Sequence, residues 1–163
     1  MCYASCKLIV KTQSDGRIIM KTAIVYATMT KHSGKIAEAI GNKLGISPQN
    51  VAVGGNTGDA DTLIIIGGIY AGKYKSELLE FVKNIDNAKV KRAAIVETSC
   101  TGEQRGIPSA LTEVLRDKDI EVLGELKSQG SFLFVGKGHP NEADLAEAVD
   151  WAEDIIKQQE SSR

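Results

Sequence analysis

The sequence is poor in cysteine, in long apolar runs and in net charge, and each shortage excludes a class of protein. Three cysteines in 163 residues, none of them in a metal-spaced Cys/His cluster, predict neither a disulfide framework nor a metal site and fit a reducing compartment. The longest apolar stretch, residues 63–72, is too short for the roughly 20 residues of a membrane-spanning helix. A formal charge of −1 offers no basic surface for nucleic acid. We therefore expect a cytoplasmic protein without membrane insertion or nucleic-acid binding.

Residues 1–19 form a leader that we separate from the rest of the chain. The run that starts at Met20 leads directly into a strand pattern, as a natural protein start does. We favour the interpretation that the leader is a start-site misassignment; the alternative is a short extra hairpin that turns at Ser14-Asp15-Gly16. No signal peptide is predicted, because the leader lacks a continuous apolar region and a small-residue cleavage site. One domain is expected over residues 20–160.

From Met20 onward, short apolar runs alternate with helical patterns. Strands are predicted at 22–27, 51–53, 62–67 and 93–98, and a last strand at 120–126 and 131–135 is interrupted at 128–130. Helices are predicted over 33–44 and 75–85, after Pro108 and after the capping residue Asn141. The central runs are apolar without alternation, which is typical of strands covered on both faces. The order predicts an α/β fold with a parallel sheet and helices on both sides.

Candidate binding residues follow the first, third and fourth predicted strands, because doubly wound sheets bind ligands outside the carboxyl ends of their strands. The first loop is rich in hydroxyl groups and opens a helix, whose free N–H groups can hold a phosphate. Hydroxyl side chains could add hydrogen bonds and a lysine a positive charge; the alternative is that Thr30 or Ser33 only caps the helix. The loop comprises Thr28, Met29, Thr30, Lys31, His32 and Ser33.

The other two loops suit a flat ring. The loop after the third strand comprises Gly68, Ile69, Tyr70, Ala71 and Gly72. Its glycines allow close backbone approach, and Tyr70 either stacks on a ring or caps the sheet edge. The loop after the fourth strand comprises Thr98, Ser99, Cys100, Thr101 and Gly102, whose backbone N–H groups can face ring oxygens. The three loops together suit a ligand with a phosphate at one end and a heteroaromatic ring at the other.

Several chemically distinctive residues receive structural interpretations. Cys100 is expected to be a small loop residue beside the ring, and His32 and His139 are expected in loops without metal. Glu97 either faces the ligand crevice or reaches solvent, and we favour solvent; Trp151 is expected to pack against the core. We predict no catalytic residue and no metal ligand.

Three segments resemble flavodoxins. Residues 21–40 resemble the family's first strand and helix, residues 61–72 its third strand and flavin loop, and residues 138–145 the start of the last helix in flavodoxin-family proteins of anaerobic bacteria. The resemblance covers nearly everything from Met20 onward. It implies a flavodoxin-like three-layer sandwich with a five-stranded parallel sheet of order 2-1-3-4-5 and flavin mononucleotide (FMN) at the switch point.

The resemblance also carries the phosphate loop over, with one departure. Flavodoxins usually have Ser/Thr-x-Thr-Gly-x-Thr/Ser there. Thr28, Thr30 and Ser33 match the hydroxyl positions, and Lys31 replaces the glycine. If this position requires a left-handed backbone, lysine costs roughly 1–2 kcal/mol.

The function that the resemblance implies is FMN-based electron transfer, as a one-electron carrier or a component of a reductase system. Redox proteins are the expected partners, and a monomer or weak dimer is the expected state. The flavin does the chemistry, and a turn at Gly67-Gly68 or Ala71-Gly72 is expected to reorient when it is reduced. The alternatives are a flavodoxin-like dehydrogenase of the protoporphyrinogen-oxidising type and a cofactor-free interaction module. A phospho-acceptor regulator is disfavoured, because glycines stand where its aspartate belongs.

Overall fold

The computed structural model describes residues 21–28, 31–99, 108–129 and 138–161. Strands and helices alternate along these residues, and one short 3-10 helix interrupts the order. The strands are β1 Thr22–Ala27, β2 Gln49–Asn50, β3 Thr62–Tyr70, β4 Lys73–Tyr74, β5 Arg92–Ser99 and β6 Glu121–Gln129; the helices are α1 His32–Leu44, α2 Ser76–Lys83, α3 Ala110–Asp117 and α4 Glu142–Ser161.

The strands form one sheet in the order β2-β1-β3-β5-β6, and all neighbours along this path are parallel. The sixth strand, β4, is two residues long and pairs antiparallel with the end of β3. When the parallel strands alone are counted, their order is 2-1-3-4-5, so the predicted fold is confirmed. The sequence did not predict the β3–β4 hairpin.

Helices cover both faces of the sheet, which makes a three-layer sandwich. On one face α1 and α4 bury Ile36, Ile40 and Ala152 against β1, β3 and β5. On the other face α2 and α3 bury residues such as Leu78 and Leu115. Because β3 is covered on both sides, every residue from Thr62 to Gly68 is buried. This explains the absence of alternation in its sequence.

Three predicted element boundaries are wrong. β3 continues to Tyr70 instead of ending at residue 67, so Gly68, Ile69 and Tyr70 lie in a strand and not in a loop. The strand predicted at 51–53 is a 3-10 helix, because Asn50 Oδ1 accepts a hydrogen bond from the N–H of Ala52 at 3.0 Å and turns the chain; the strand is the preceding Gln49–Asn50. The interruption predicted at 128–130 does not occur at Ser128 and Gln129, which pair in β6 with Thr98 and Ser99.

The last helix starts as predicted. Asn141 Oδ1 accepts hydrogen bonds from the N–H groups of Ala143 at 2.9 Å and Asp144 at 3.0 Å. No helix within the described ranges is both long and apolar enough to span a lipid bilayer.

Candidate ligand-binding site

A row of small residues lies along the carboxyl edge of the sheet. The strand register aligns Gly68 of β3 with Thr98 of β5 and with Ser128 of β6, and Thr28 follows β1 one residue beyond the pair Ala27–Gly67. Side chains alternate between the two faces of the sheet along each strand, and these four residues occupy positions that face α1 and α4. We call them the hydroxyl row. Three of its members carry a hydroxyl group, and the fourth has no side chain.

The amino end of α1 lies at this row. Lys31 is the N-cap residue, and its φ of 65° and ψ of −1° are left-handed. No described side chain caps this end of the helix. The first intrahelical hydrogen bond joins the N–H of Lys35 to the carbonyl of Lys31 at 3.0 Å. An uncapped helix start of this kind suits an anion.

Thr28 has an unsatisfied hydroxyl group beside that helix end. Its Oγ1 is buried and has no hydrogen-bond partner among the described residues. Its methyl group lies 3.8 Å from the point where a Cβ on Gly34, in the first turn of α1, would stand. A buried hydroxyl without a partner costs about 1–3 kcal/mol. A ligand bound at the start of α1 could supply that partner.

Ser33 does not cap α1, and its side chain is already bonded. It is fully buried, and its Oγ lies 3.0 Å from Thr98 Oγ1. The bond joins the first turn of α1 to the end of β5. Two of the three predicted loops are therefore held together by residues that were predicted to contact the ligand. Thr30, the other predicted cap, and Met29 lie outside the described residues.

Tyr70 lies over the glycine of the row. A Cβ placed on Gly68 would come within 2.7 Å of Cε2 and Oη of the Tyr70 ring, so the ring occupies space that only glycine leaves open. Tyr70 is half-buried. Its ring therefore borders the hydroxyl row, where it can contact a ligand.

The β3–β4 hairpin projects from this edge. Its two-residue turn consists of Ala71 with φ 49° and Gly72 with φ 77°, both exposed. Two consecutive positive φ values are typical of the tight turns that match the twist of paired strands. Ile69 pairs with Tyr74 and packs against the α2/α3 core. Its side chain therefore points away from the hydroxyl row.

On the opposite face, the same strand ends carry a buried charged cluster. Glu97 is only 3% exposed, so the prediction that it reaches solvent is wrong. Its Oε2 accepts a hydrogen bond from the Tyr74 hydroxyl, and its Oε1 lies 3.6 Å from Lys127 Nζ. Lys127 Nζ also lies 3.5 Å from Glu125 Oε1. We call Tyr74, Glu97, Lys127 and Glu125 the carboxylate network.

The network also reaches the start of α3. Glu125 Oε2 accepts hydrogen bonds from the N–H of Ser109 at 3.2 Å and from Thr112 Oγ1 at 2.8 Å. Burial, reinforced by the bond to Glu97, raises the pKa of the Tyr74 phenol above its ordinary value. The phenol therefore stays a neutral donor.

The remaining predicted residues have simpler surroundings. Ser99 is half-buried at the end of β5, and His32 is the first residue of α1 rather than a loop residue. Cys100, Thr101 and Gly102 lie outside the described residues. His139 Nδ1 lies 2.5 Å from Asp144 Oδ2, and no group of three potential metal ligands occurs in the described ranges. Trp151 packs against the α1/α4 core, as predicted.

The sequence analysis missed Ser128 and the carboxylate network. Ser128 Oγ is buried without a hydrogen-bond partner among the described residues, as Thr28 Oγ1 is. Glu125 and Lys127 alternate within β6 and so share a face of the sheet. That spacing, together with a charged residue at the end of the apolar strand β5, is the available signal for the network.

Comparisons with known proteins agree with this architecture. A family model described as a flavodoxin domain matches residues 23–136. An uncharacterized protein of Methanocaldococcus jannaschii is 30% identical over 156 residues, which are 85% of this chain and 99% of that protein.

Two solved structures show the same fold at low sequence identity. The Streptococcus pneumonia TIGR4 flavodoxin has a TM-score of 0.62 and 19% identity over 84% of this chain and 98% of its own. The oxidised flavodoxin 2 of Bacillus cereus has a TM-score of 0.60 and 21% identity over 84% of this chain and 98% of its own.

Proposed function

Because the chain belongs to the flavodoxin domain family, we propose that it binds FMN at the carboxyl edge of its sheet and carries electrons between partner proteins. The observation on which the proposal rests is the pairing of a helix start at Lys31 that no described side chain caps with the buried hydroxyl of Thr28, which has no hydrogen-bond partner among the described residues. These two features offer N–H groups and a hydroxyl to one anionic group. The phosphate of FMN has the charge and the oxygen atoms to use both.

Lys31 does not argue against this fit. It adopts the left-handed backbone that glycine provides most readily, so the replacement of glycine has not removed that conformation from the loop. Its side chain is exposed and carries a positive charge close to the helix start. Met29, Thr30, His32 and Ser33 complete the proposed phosphate loop.

The proposed ring site lies between the second and third loops. Gly68 and Tyr70 border it on one side, with Ile69, Ala71 and Gly72 in the adjoining hairpin; Thr98 and Ser99 border it on the other side, with Cys100, Thr101 and Gly102 proposed from the sequence. Bound FMN supplies the electron-accepting ring, and the chain positions it and shapes its electrostatic surroundings. We propose one-electron exchange with redox partner proteins in the cytoplasm as the working role.

The first experiment is a spectroscopic titration of flavin-stripped protein with FMN. The proposal predicts quenched flavin fluorescence and a perturbed flavin absorbance that saturate at one FMN per chain. Unchanged fluorescence and absorbance in excess FMN would overturn the binding proposal. Reduced, FMN-loaded protein is then mixed with cytochrome c, a one-electron acceptor. Cytochrome c should be reduced; if FMN binds but no electron is delivered, the electron-transfer role is wrong.

A further inference from the structure

We infer that the carboxylate network positions the β3–β4 hairpin, which is proposed to border the flavin ring, and couples it to the start of α3. The inference rests on the proposed function only for the identity of the ligand. The coupling itself is a property of the ligand-free chain.

One end of the network holds the hairpin. Tyr74 comes two residues after Gly72 and is 7% exposed. Its ring packs against Gly67, where an added Cβ would stand 3.0 Å from Tyr74 Cδ1. Its hydroxyl donates to Glu97 on β5. The hairpin is therefore attached to the sheet through a bond on the face opposite to the hydroxyl row.

The other end of the network fixes the start of α3. Ser109 is the N-cap residue of α3, and its Oγ accepts a hydrogen bond from the N–H of Thr112 at 3.2 Å. Its own N–H and the hydroxyl of Thr112 both donate to Glu125. Glu125 therefore holds the first turn of α3 against β6.

Lys127 joins the two ends. Its side chain is 13% exposed, and it lies between two carboxyl groups whose side chains are 4% and 15% exposed. Buried charges interact strongly with one another. If one member of a buried ion pair is removed, the protein is destabilised, because the other charge stays buried without a counterion. When a hydrogen bond at one end of the network is lost, the Lys127 ammonium group changes its position between the carboxyl groups of Glu97 and Glu125. The hydrogen bonds at the other end of the network then change as well.

Amide hydrogen exchange of the full, ligand-free chain tests this coupling. Tyr74→Phe removes the donor to Glu97 and keeps the ring. We expect exchange in residues 69–75 to accelerate by roughly tenfold beyond any global change, as the loss of a hydrogen bond to a charged group predicts. Tyr26→Phe makes the same deletion on the α1/α4 face and should leave this segment unchanged. Equal exchange in the two variants would overturn the inference.

A substitution at the α3 end of the carboxylate network provides a second test of the coupling. Thr112→Val removes a donor to Glu125 and should also accelerate exchange in residues 69–75, although Thr112 belongs to α3. Thr112→Ser keeps the hydroxyl group and should restore the wild-type rate. If Tyr74→Phe does not fold, the comparison of Thr112→Val with Thr112→Ser is sufficient to test the coupling. An effect of Thr112→Val confined to α3 contradicts the coupling.

A second readout separates this inference from the proposed function. Thr112→Val should weaken FMN binding several-fold, and the double variant Tyr74→Phe/Thr112→Val should lose less affinity than the product of the single losses, because both act on one network. If the loss of FMN affinity in the double variant equals the product of the two single losses, the coupling is wrong. If the wild-type chain binds no FMN, the proposed function fails, and hydrogen exchange still decides the coupling.

Discussion

The two faces of the sheet's carboxyl edge handle polar groups in opposite ways. Toward α2 and α3, each carboxyl oxygen of the carboxylate network contacts a hydrogen-bond donor or the Lys127 ammonium group, although Glu125 Oε1 has only the 3.5 Å ion pair and no hydrogen bond among the described residues. Toward α1 and α4, the hydroxyl row leaves Thr28 and Ser128 without described partners. The polar groups of the first face bind one another, whereas the second face has hydroxyl groups that no described residue uses; the proposed function assigns them to a ligand. Four comparisons, from the largest expected effect to the smallest, test this contrast.

Lys127→Met should have the largest effect, because it leaves two buried carboxyl groups without their shared ammonium group. We expect the free energy of unfolding to fall by about 3–5 kcal/mol. Lys43→Met removes an exposed ion pair, in which Nζ lies 3.6 Å from Glu153 Oε1, and should cost less than about 1 kcal/mol. Urea denaturation measures both. Similar losses at the two sites would show that the carboxylate network is no more important than a surface pair.

The same substitution, threonine to valine, should have different effects on the two faces. Thr112→Val removes a satisfied hydroxyl group and should cost about 1–2 kcal/mol of stability. Thr28→Val removes a hydroxyl group that has no described hydrogen-bond partner, so it should change the stability very little. The same substitution should weaken FMN binding by roughly tenfold. Urea denaturation and FMN titration separate the two outcomes. A destabilised Thr28→Val that still binds FMN normally contradicts the assigned role of Thr28.

Tyr74 makes the carboxylate network sensitive to high pH. The phenol has a raised pKa in the folded chain, whereas in the unfolded chain it titrates near its ordinary 10.0. The folded chain therefore binds more protons above pH 10. The contribution is intact below pH 10 and falls above it by at most about 1.4 kcal/mol per pH unit.

Denaturation of wild type and Tyr74→Phe between pH 8 and pH 11 checks this, since the other titrating groups are common to both. The stability of the wild type relative to the variant should decline only above pH 10. A constant difference across the range would contradict a buried, neutral Tyr74.

Lys31→Gly should have the smallest effect on stability. It relieves a left-handed lysine at the cost of a more flexible unfolded chain, for a net gain of at most about 1 kcal/mol. Asp119→Gly is the matched control, because Asp119 also has positive φ, 57°, but follows α3. Both should raise the midpoint of thermal unfolding slightly. FMN affinity should fall, by up to about fivefold, only for Lys31→Gly, which removes an exposed charge. Equal affinities in the two variants would show that Lys31 does not contact the phosphate.

The sequence predicts well what depends on local pattern. The apolar run of β3 and the helical stripes of α1 and α4 are sufficient to predict a covered parallel sheet, and the position of Thr28 follows from the end of β1. Gly68, which was expected in a loop, lies inside β3. The local sequence around Glu97 does not identify the partners that allow its burial, because Tyr74 and Lys127 lie more than 20 residues away in the chain.

Ser33 shows the same limit. Its hydroxyl group is the right type for a phosphate loop, but its partner Thr98 is 65 residues away. The 3-10 helix at Val51–Val53 is a different case, because Asn50, two residues before the donor Ala52, was visible in the sequence. The strand prediction used only the apolar residues Val51 and Val53 and did not consider this short-range capping signal.

The most direct test of the central claim compares FMN with riboflavin, which has the same ring and no phosphate, by isothermal titration calorimetry of the flavin-stripped protein. If the phosphate lies on the start of α1 beside Thr28, FMN should bind at least about 100-fold more tightly than riboflavin, since two hydrogen bonds to a charged group are lost. Equal affinities for the two ligands would contradict the account.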